Sequence, residues 1–375
     1  MAGRTRIMGL AAMALVGTAL LTPTMAEPTQ VSHMYEANVE TDRTLPGKHH
    51  VVFRGQEGES YNNHAYIARH DGRFWAIWSN GERDGGHTGQ HVRFATSEDG
   101  RTWSRPGSIM PRPADGYFIA RGLWVRDGEL LALVARCTGE TRTTEVEALE
   151  AYRWNRPTGD WQKAGAIGQG IINNYAPLQL ADGRWLMPYR EGELNRVDGV
   201  MIGGVRSIGD WDKIRFPGEA GSHLTEANAI IRADGSIAIH IRDNNRSGFL
   251  YRSVSEDGGR TFTEPTRTDF PDCRCKHYCM QLSTGRFILV NNPRTRDVLQ
   301  VAGSPDGKVF TQAARLRWKP VPLRHKGHDK GGHYTYPHAI EHDAEVYFIY
   351  AVNRDDIAVT RVSVEDLEAA LGGRD

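Results

Sequence analysis

The chain has no excess of either charge and, after its first residues, no long apolar run. Lys and Arg together number 46, as do Asp and Glu, so the formal net charge is zero. A protein that binds along a phosphate backbone needs a basic excess, so we expect no nucleic-acid partner. A membrane helix needs about 20 consecutive apolar residues, and no later segment has them, so we expect no membrane partner.

Cysteine is also scarce, with four residues in a chain of 375. Three of them, Cys273, Cys275 and Cys279, fall within one stretch of seven residues, whereas Cys137 stands alone. A framework of disulfides would be spread along the chain, so this cluster requires another explanation. The remaining composition, 39% hydrophobic and 25% charged, is ordinary for a globular protein and excludes long disorder or a coiled coil.

The N-terminus has the organisation of a secretory signal peptide. Arg4 and Arg6 precede an apolar run over residues 7–21, and small residues lead to Ala26. The run is too short to span a bilayer comfortably, which makes an uncleaved anchor the weaker alternative. We predict cleavage near Ala26 and a secreted or periplasmic protein comprising residues 27–375.

The remainder of the chain repeats one pattern, in which two apolar strands flank a tight turn. Neighbouring turns lie between 50 and 59 residues apart. Asp-Gly between apolar runs indicates a two-residue hairpin, and several strands per repeat at this period predict a β-propeller. The six turns are Asp71-Gly72, Asp127-Gly128, Asp182-Gly183, Asp234-Gly235, Thr284-Gly285 and Asp343-Ala344.

A second repeated motif follows the third strand of several units. Residues 255–262, Ser-Glu-Asp-Gly-Gly-Arg-Thr-Phe, match the Asp-box pattern Ser-x-Asp-x-Gly-x-Thr-Trp/Phe. Residues 97–103 lack one glycine of it, and residues 304–310 are a decayed copy. The aspartate of such a turn accepts backbone N–H groups, and the aromatic residue packs into the blade. We therefore assign these motifs to folding and not to chemistry.

The sequence predicts an all-β fold, a single propeller domain of four-stranded blades. We count six blades, and seven if residues 27–60 and the long connections hide another. The last unit has only three strands before a short helix near residue 364. Residues 48–54 are available as its fourth strand and would close the ring, which removes exposed sheet edges.

One rim of this propeller collects Arg, Asn, His and Tyr side chains at the ends of the inner strands. Arginine binds carboxylates, asparagine binds hydroxyls and aromatic rings stack on sugars, so the rim suits an anionic glycan. The alternative is that these side chains only satisfy loop carbonyls. The candidate substrate-binding residues are Asn63, Arg121, Asn174, Arg242, Asn244, Tyr336 and His338.

The Asp-boxes and propeller repeats resemble the sialidase-like superfamily. Within it, residues 62–65 (Asn-Asn-His-Ala), 89–92 and 336–343 are more similar to the propeller ulvan lyases than to true sialidases. The resemblance implies a polysaccharide lyase that cleaves a uronate-containing, ulvan-like glycan by β-elimination. It also implies that Arg, His and Tyr carry the reaction, with no organic cofactor. We expect a monomer whose partner is an anionic polysaccharide.

β-Elimination needs one group that neutralises the uronate carboxylate, a base that removes the C5 proton and an acid that protonates the leaving O4. We predict that Arg190 neutralises the carboxylate and that His64 and Tyr175 move the two protons. His64 and Tyr175 each stand eight residues before a turn glycine. His87 and His91 are competing candidates for a second histidine, although the first lies in a Gly-rich loop and the second in a strand.

Two other functions remain open from the residues. A sialidase or related glycosidase would need three arginines, a Tyr nucleophile with a Glu partner, and an Asp acid. Arg242, Arg294 and Arg354 could form the triad and Glu226 could assist, but no acidic residue near Asn62 and Asn63 supplies the acid. The third possibility is a glycan-binding propeller without catalysis.

The cysteine cluster predicts a candidate structural zinc site. Cys275, His277 and Cys279 alternate along one stretch of chain, and zinc binds Cys and His. Structural zinc also occurs in the lyases that the chain resembles. The alternative is a disulfide that involves Cys137 and leaves the other thiols buried.

Overall fold

The computed structural model describes residues 1, 32–36, 43–139, 145–191, 196–218 and 223–372. Within these ranges the strands form six antiparallel sheets, and the one helix, α1 (Val364–Ala370), follows the last strand. The predicted signal peptide lies outside the described residues except for Met1. No helix among the described residues is long and apolar enough to cross a membrane.

The first three sheets follow the chain in order. The first blade contains β2 (Tyr61–His70), β3 (Arg73–Gly81), β4 (His91–Ser97) and β5 (Gly107–Ser108). The second contains β6 (Tyr117–Arg126), β7 (Glu129–Thr138), β8 (Glu145–Asn155) and β9 (Asp160–Gln169). In the third blade the inner strand is broken into two short pieces, β10 (Ile171–Ile172) and β11 (Leu178–Gln179). The other strands of this blade are β12 (Trp185–Glu191), β13 (Gly199–Gly203) and β14 (Trp211–Arg215).

The last three sheets complete a ring. The fourth contains β15 (Leu224–Ile231), β16 (Ile237–Asp243), β17 (Phe249–Ser255) and β18 (Thr266–Pro271). The fifth contains β19 (Tyr278–Gln281), β20 (Phe287–Asn291), β21 (Leu299–Ser304) and β22 (Gln312–Arg317). The sixth contains β23 (Tyr334–His342), β24 (Glu345–Val352) and β25 (Asp356–Ser363), completed by β1 (Lys48–Arg54).

The ring closes as predicted, because an early strand completes the last blade. β1 pairs with β25 from Lys48 opposite Arg361 to Arg54 opposite Asp356. The inner strand β23 also lies beside β2. The six-bladed propeller is therefore confirmed. Instead of a seventh sheet, the described residues before β1 make isolated bridges to blades four and five, at Ser32, Tyr35 and Thr44.

The predicted hairpin turns form where the sequence places them. Asp71 and Gly72 have φ values of 46° and 70°, and Asp127 and Gly128 have φ values of 51° and 77°. Two consecutive positive φ values define the tight turn whose twist matches the flanking strands, and Asp-Gly is suited to it. These turns join β2 to β3 and β6 to β7.

The Asp-boxes are the folding elements that the sequence predicts. In the first, Asp99 Oδ1 accepts the N–H groups of Arg101 and Thr102 at 2.8 and 2.9 Å. These bonds lower the pKa of Asp99 to about 2. In the other two copies, the closing aromatic residues Phe262 and Phe310 are buried between blades.

The hydrophobic core is divided among the interfaces between blades. Blades one and two meet around Tyr66, Trp75 and Phe118, and blades six and one meet around Trp78 and Ile349. Because each blade buries one face against each neighbour, the ring holds the ends of the inner strands at a common centre. That arrangement positions the candidate site.

Candidate active site

Four of the described inner strands carry a β-bulge near the same end. A bulge inserts an extra residue, bends the strand and re-aims a side chain, and bulges are frequent beside active sites. The register breaks fall between Asn63 and Tyr66 in β2, Ala120 and Gly122 in β6, Thr225 and Asn228 in β15, and Thr335 and His338 in β23.

Three of these bulges hold a large residue in the left-handed region of backbone space. His64, Glu226 and Tyr336 have φ values of 52°, 46° and 59°. Such values are uncommon for residues other than glycine, and they concentrate at functional sites, where the surrounding structure holds the strain. Three equivalent positions therefore present a histidine, a carboxylate and a phenol.

Buried charged side chains gather around these bulges. We call Arg121, Arg190, Glu226, Arg242 and Lys276 the charged centre. Its arginines and glutamate keep between 4% and 8% of their surface exposed, whereas Lys276 is fully buried. Four basic side chains accompany one carboxylate, so the centre favours an anionic ligand.

Asn174 connects two of the arginines. Its Oδ1 accepts a hydrogen bond from Arg121 Nη1 at 3.1 Å and another from Arg190 Nη2 at 3.3 Å. Burial and the nearby Arg121 charge lower the pKa of Arg190 to about 10. Two guanidinium groups are thus held side by side on a neutral acceptor.

Glu226 forms a buried ion pair with Arg242, which donates from Nη1 to Glu226 Oε2. Burial by itself would raise the pKa of Glu226, but the charges of Arg242 and Arg190 outweigh it and lower the value to about 2. The carboxylate is therefore ionised at neutral pH. It cannot donate a proton as a general acid in this state.

Lys276 is the fully buried member of the charged centre, and it lies against two aromatic rings. Its Nζ has no hydrogen-bond partner among the described residues and lies 3.9 Å from the ring centre of Tyr66 and 4.2 Å from that of Tyr175. Cation–π contact provides part of the lost solvation. Burial, followed by the charges of Arg121 and Arg190, lowers the pKa of Lys276 well below its ordinary value.

His64 lies at the edge of the charged centre and is neutral. Burial, followed by the charges of Arg121 and Lys276, lowers the pKa of His64 well below its ordinary value. Its Nδ1 is 3.2 Å from Ser79 Oγ, which also accepts the N–H of Ala120 at 3.0 Å. If Nδ1 carries the proton and donates to Ser79, Nε2 keeps its lone pair for use as a base.

Tyr336 lies directly beside His64. Their ring centres are 4.9 Å apart with the planes at 83°. The Arg354 guanidinium lies over the Tyr336 ring, 5.7 Å from its centre. Tyr336 is also close enough to Arg190 and Arg242 to contribute a raising effect to the pKa of each. Tyr336, predicted only as a substrate-binding residue, therefore belongs to the same cluster as the charged centre.

Tyr175 does not share this position. It lies in the irregular segment between β10 and β11, and its hydroxyl donates to the backbone carbonyl of His277. Its ring packs against Tyr278 in the core and lines the opposite end of the inner strands. Tyr175 thus meets the charged centre through Lys276, whose Nζ lies over its ring, and its hydroxyl is turned away where the inner strand of blade three is interrupted.

The two competing histidines lie apart from the charged centre. His87 lines a surface cavity formed by the loop between β3 and β4. His91 is buried in β4, where burial and the charges of Arg112 and Arg93 lower its pKa to about 4. Neither contacts the charged residues described above.

The remaining predicted binding residues divide between the two ends of the inner strands. Asn63 donates to the hydroxyl of Tyr61 at 3.2 Å, and Asn244 follows β16 beside the Arg242 end. His338 instead lies among tyrosines, with its ring centre 4.3 Å from that of Tyr278. Its position is in the core and away from the open rim.

The candidate zinc ligands do not converge. No group of three or more His, Cys, Asp or Glu side chains in the described ranges could hold a metal ion. Cys279 packs in the core between blades four and five, whereas Cys275 lies beside Asp272. All four cysteines, including Cys137, are free thiols. The zinc ion remains a prediction that elemental analysis would test, and these residues do not fit it.

Sequence reasoning missed two functional candidates and placed a third in another role. Lys276 lies between two residues of the cysteine cluster, where its role is not visible, and Ser79 matches no motif. Glu226 is a sequence candidate only for the glycosidase alternative. A trace of the bulges is nevertheless visible. His64 and Tyr336 both lie eight residues before the second residue of their turns, and both are followed by a small or rigid residue.

Comparisons with known proteins agree with this architecture. A profile described as BNR repeat-like domain matches residues 140–348. A protein of unknown function from Dyadobacter fermentans has a similar structure, with a TM-score of 0.68 and 16% identity over 84% of this chain and 98% of that one. A search of curated protein sequences found no match.

Two sialidase structures are also similar. A solved sialidase superposes with a TM-score of 0.67 and 17% identity, covering 89% of this chain but only 35% of its own. The intramolecular trans-sialidase from Ruminococcus gnavus gives a TM-score of 0.61 and 13% identity, covering 84% of this chain and 97% of its own. At these identities the likeness concerns the fold.

Proposed function

The chain belongs to the family of BNR repeat-like domains within the sialidase-like propeller superfamily, and we propose that it is a polysaccharide lyase acting on a uronate-containing glycan. The observation that carries this proposal is the cluster of buried arginines beside a neutral His64 and an adjacent Tyr336. Binding, base and acid groups for β-elimination are thus available at one place.

Arg121 and Arg190 are assigned to the uronate carboxylate. Both donate to Asn174 Oδ1, so their guanidinium groups lie close enough together to bind one carboxylate between them. Neutralising that carboxylate makes the C5 proton more acidic, because the carbanion no longer forms beside a full negative charge. Arg242 is less available, since Glu226 already compensates it.

His64 is assigned as the base and Tyr336 as the acid. Nε2 of His64 takes the C5 proton, the C–H electron pair forms the C4–C5 double bond, and the C4–O4 bond breaks. Tyr336 gives its hydroxyl proton to O4, and solvent restores both groups. A histidine with a lowered pKa is unprotonated at neutral pH, as the first step requires.

Hydrolysis is the second candidate, and Glu226 favours it. Glu226 and Tyr336 occupy equivalent bulges, which would suit a tyrosine nucleophile assisted by a carboxylate. Two of the similar structures are sialidases. An ionised Glu226 fits that assisting role. However, hydrolysis also requires a separate protonated acid at the leaving group, and no acidic residue near Asn62 and Asn63 supplies it. Elimination therefore fits the described residues better.

A panel of acidic polysaccharides tests the reaction class. The purified enzyme is incubated with each polymer, and ultraviolet absorbance and reducing ends are measured together. Elimination generates a conjugated double bond with each new reducing end, whereas hydrolysis generates reducing ends without the absorbance. Binding of a polymer with neither signal would identify a glycan-binding propeller and contradict both catalytic assignments.

A further inference from the structure

A second basic site lies next to the charged centre, in a cleft between blades four and five. The cleft has a volume of about 620 Å³, and three arginines line it: Arg246, Arg274 and Arg294. We call it the arginine cleft. Arg246 is in the loop that follows β16, and β16 carries Arg242 near its end. The cleft and the charged centre therefore share one end of blade four.

Both carboxylates that line the cleft are already engaged. Asp269 binds His33 through Oδ2 at 2.6 Å, and its Oδ1 accepts the N–H groups of Met34 and Tyr35 at 2.6 and 2.9 Å. Asp272 accepts the N–H of Cys275 at 3.1 Å, and burial raises the pKa of Asp272 to about 6. These acids therefore compensate the arginines only in part.

The side chains of Arg246 and Arg274 make no hydrogen bond or ion pair with any residue in the described part of the chain, although the Arg274 carbonyl accepts a hydrogen bond from Arg296 Nη2 at 3.2 Å. Both have backbone φ values in the left-handed region, 63° and 62°. Burial lowers the pKa of Arg274, and the charges of Arg246, Arg242 and Arg296 lower it further. Arg246 is exposed and Arg274 half-buried, so both guanidinium groups are accessible to an anion, which like charges brought close together favour.

We propose that the arginine cleft binds a second anionic group of the same polymer, a sulfate ester or a further carboxylate. The inference rests on the proposed function, because it places the first carboxylate at the charged centre. Guanidinium groups bind either anion through paired N–H groups. Phe249 also lines the cleft, with Arg267 lying over its ring at 5.2 Å, and adds an apolar contact for the sugar. The substrate class is therefore a polyanionic chain and not a single terminal acidic sugar.

Equilibrium binding tests this proposal separately from catalysis. All measurements use a His64→Ala background so that no polymer is consumed. The probes are chondroitin sulfate, desulfated chondroitin and monomeric glucuronate. In that background the double substitution Arg246→Gln and Arg274→Gln is compared with Arg101→Gln, which removes an exposed arginine on the first Asp-box.

We expect the double substitution to weaken polymer binding about tenfold or more and to leave glucuronate binding unchanged, as the loss of charge-assisted hydrogen bonds predicts. Arg101→Gln should have no effect. A loss confined to the sulfated polymer assigns the cleft to sulfate, and an equal loss for both polymers assigns it to a carboxylate. Unchanged polymer binding in the double variant would show that the arginine cleft is not a binding site for the polymer. That result would hold even if the native enzyme cleaves the polymers.

Discussion

The ring of Tyr336 meets the ring of His64 edge-on, with centres 4.9 Å apart, although the two residues come from opposite ends of the chain. They belong to blades six and one, which become neighbours only when β1 pairs with β25. Closure of the ring thus creates the proposed acid and base pair. Its geometry leads to the first prediction.

Tyr336→Phe should reduce turnover at least a hundredfold while preserving substrate binding, because it keeps the ring and removes the proton. His64→Ala should have a comparable effect on elimination. Tyr175→Phe is the matched control, since the Tyr175 hydroxyl donates to the His277 carbonyl in the core. Tyr175→Phe should lower the melting temperature and leave the turnover close to that of the native enzyme. Steady-state kinetics that place the larger turnover loss in Tyr175→Phe would refute our assignment.

Arg190→Gln should reduce kcat by about 10²–10³, the usual effect of losing one preorganised donor to a developing anion. Glutamine can still contact Asn174 but lacks the charge. Arg101→Gln, on an exposed turn, is the control and should behave as the native enzyme. The comparison is made by measuring kcat and KM on the best polymer. An effect on neither constant would remove Arg190 from the proposed site.

Glu226→Gln should destabilise the protein by about 3–5 kcal/mol, because it leaves Arg242 buried without its counter-ion. The double variant Glu226→Leu with Arg242→Met removes both charges and should recover most of that loss. Chemical denaturation measures both free energies of unfolding. A single variant as stable as the native protein would mean that the ion pair is not formed in solution.

Lys276→Met should raise the melting temperature, since it replaces an amine that has no hydrogen-bond partner in the described part of the chain with an apolar group of similar shape. The free energy of unfolding should increase by about 1–3 kcal/mol. We also expect a higher KM, because the charged centre loses one of its basic groups. Lys163→Met, in which an exposed lysine leaves Glu150, is the control for a lysine outside the centre. A destabilised Lys276→Met protein would contradict the prediction.

Acid should destabilise the fold below about pH 6.5, because several histidines are buried in the neutral form. Burial lowers the pKa of His277 to about 4 and lowers those of His240 and His338 well below the ordinary value. As pH falls, these histidines take up protons in the unfolded chain before they do so in the folded protein. Protonation therefore costs the fold nothing above the unfolded pKa of about 6.5, and the free energy of unfolding decreases below it. For His277 the loss reaches about 3 kcal/mol at most.

Asp272 acts in the opposite direction, because its raised pKa of about 6 disfavours folding once it ionises. It offsets part of the histidine effect. Melting temperatures measured from about pH 7.5 to about pH 4.5 should therefore fall, and His240→Met should make the fall shallower. A profile that is unchanged or rises toward acid would contradict the burial of these histidines.

The architecture could be derived from short-range patterns. An Asp-Gly turn, an Asp-box and a closing strand each depend on a few neighbouring residues whose backbone preferences are local. Their repetition at a period near fifty residues, with several strands in each repeat, predicts a propeller. The structure confirms it in the turn at Asp71-Gly72, the Asp99 hydrogen bonds and the pairing of β1 with β25.

Which rim residues meet was decided by the tertiary structure. His64, Tyr175 and Tyr336 share the same spacing from their turns, so sequence could not separate the two tyrosines. A shift of one residue in a strand moves every side chain to the other face. The bulge in β23 turns Tyr336 toward His64, whereas the broken inner strand of blade three leaves Tyr175 in the core. Such local breaks in register depend on neighbouring blades and leave no reliable mark in the sequence.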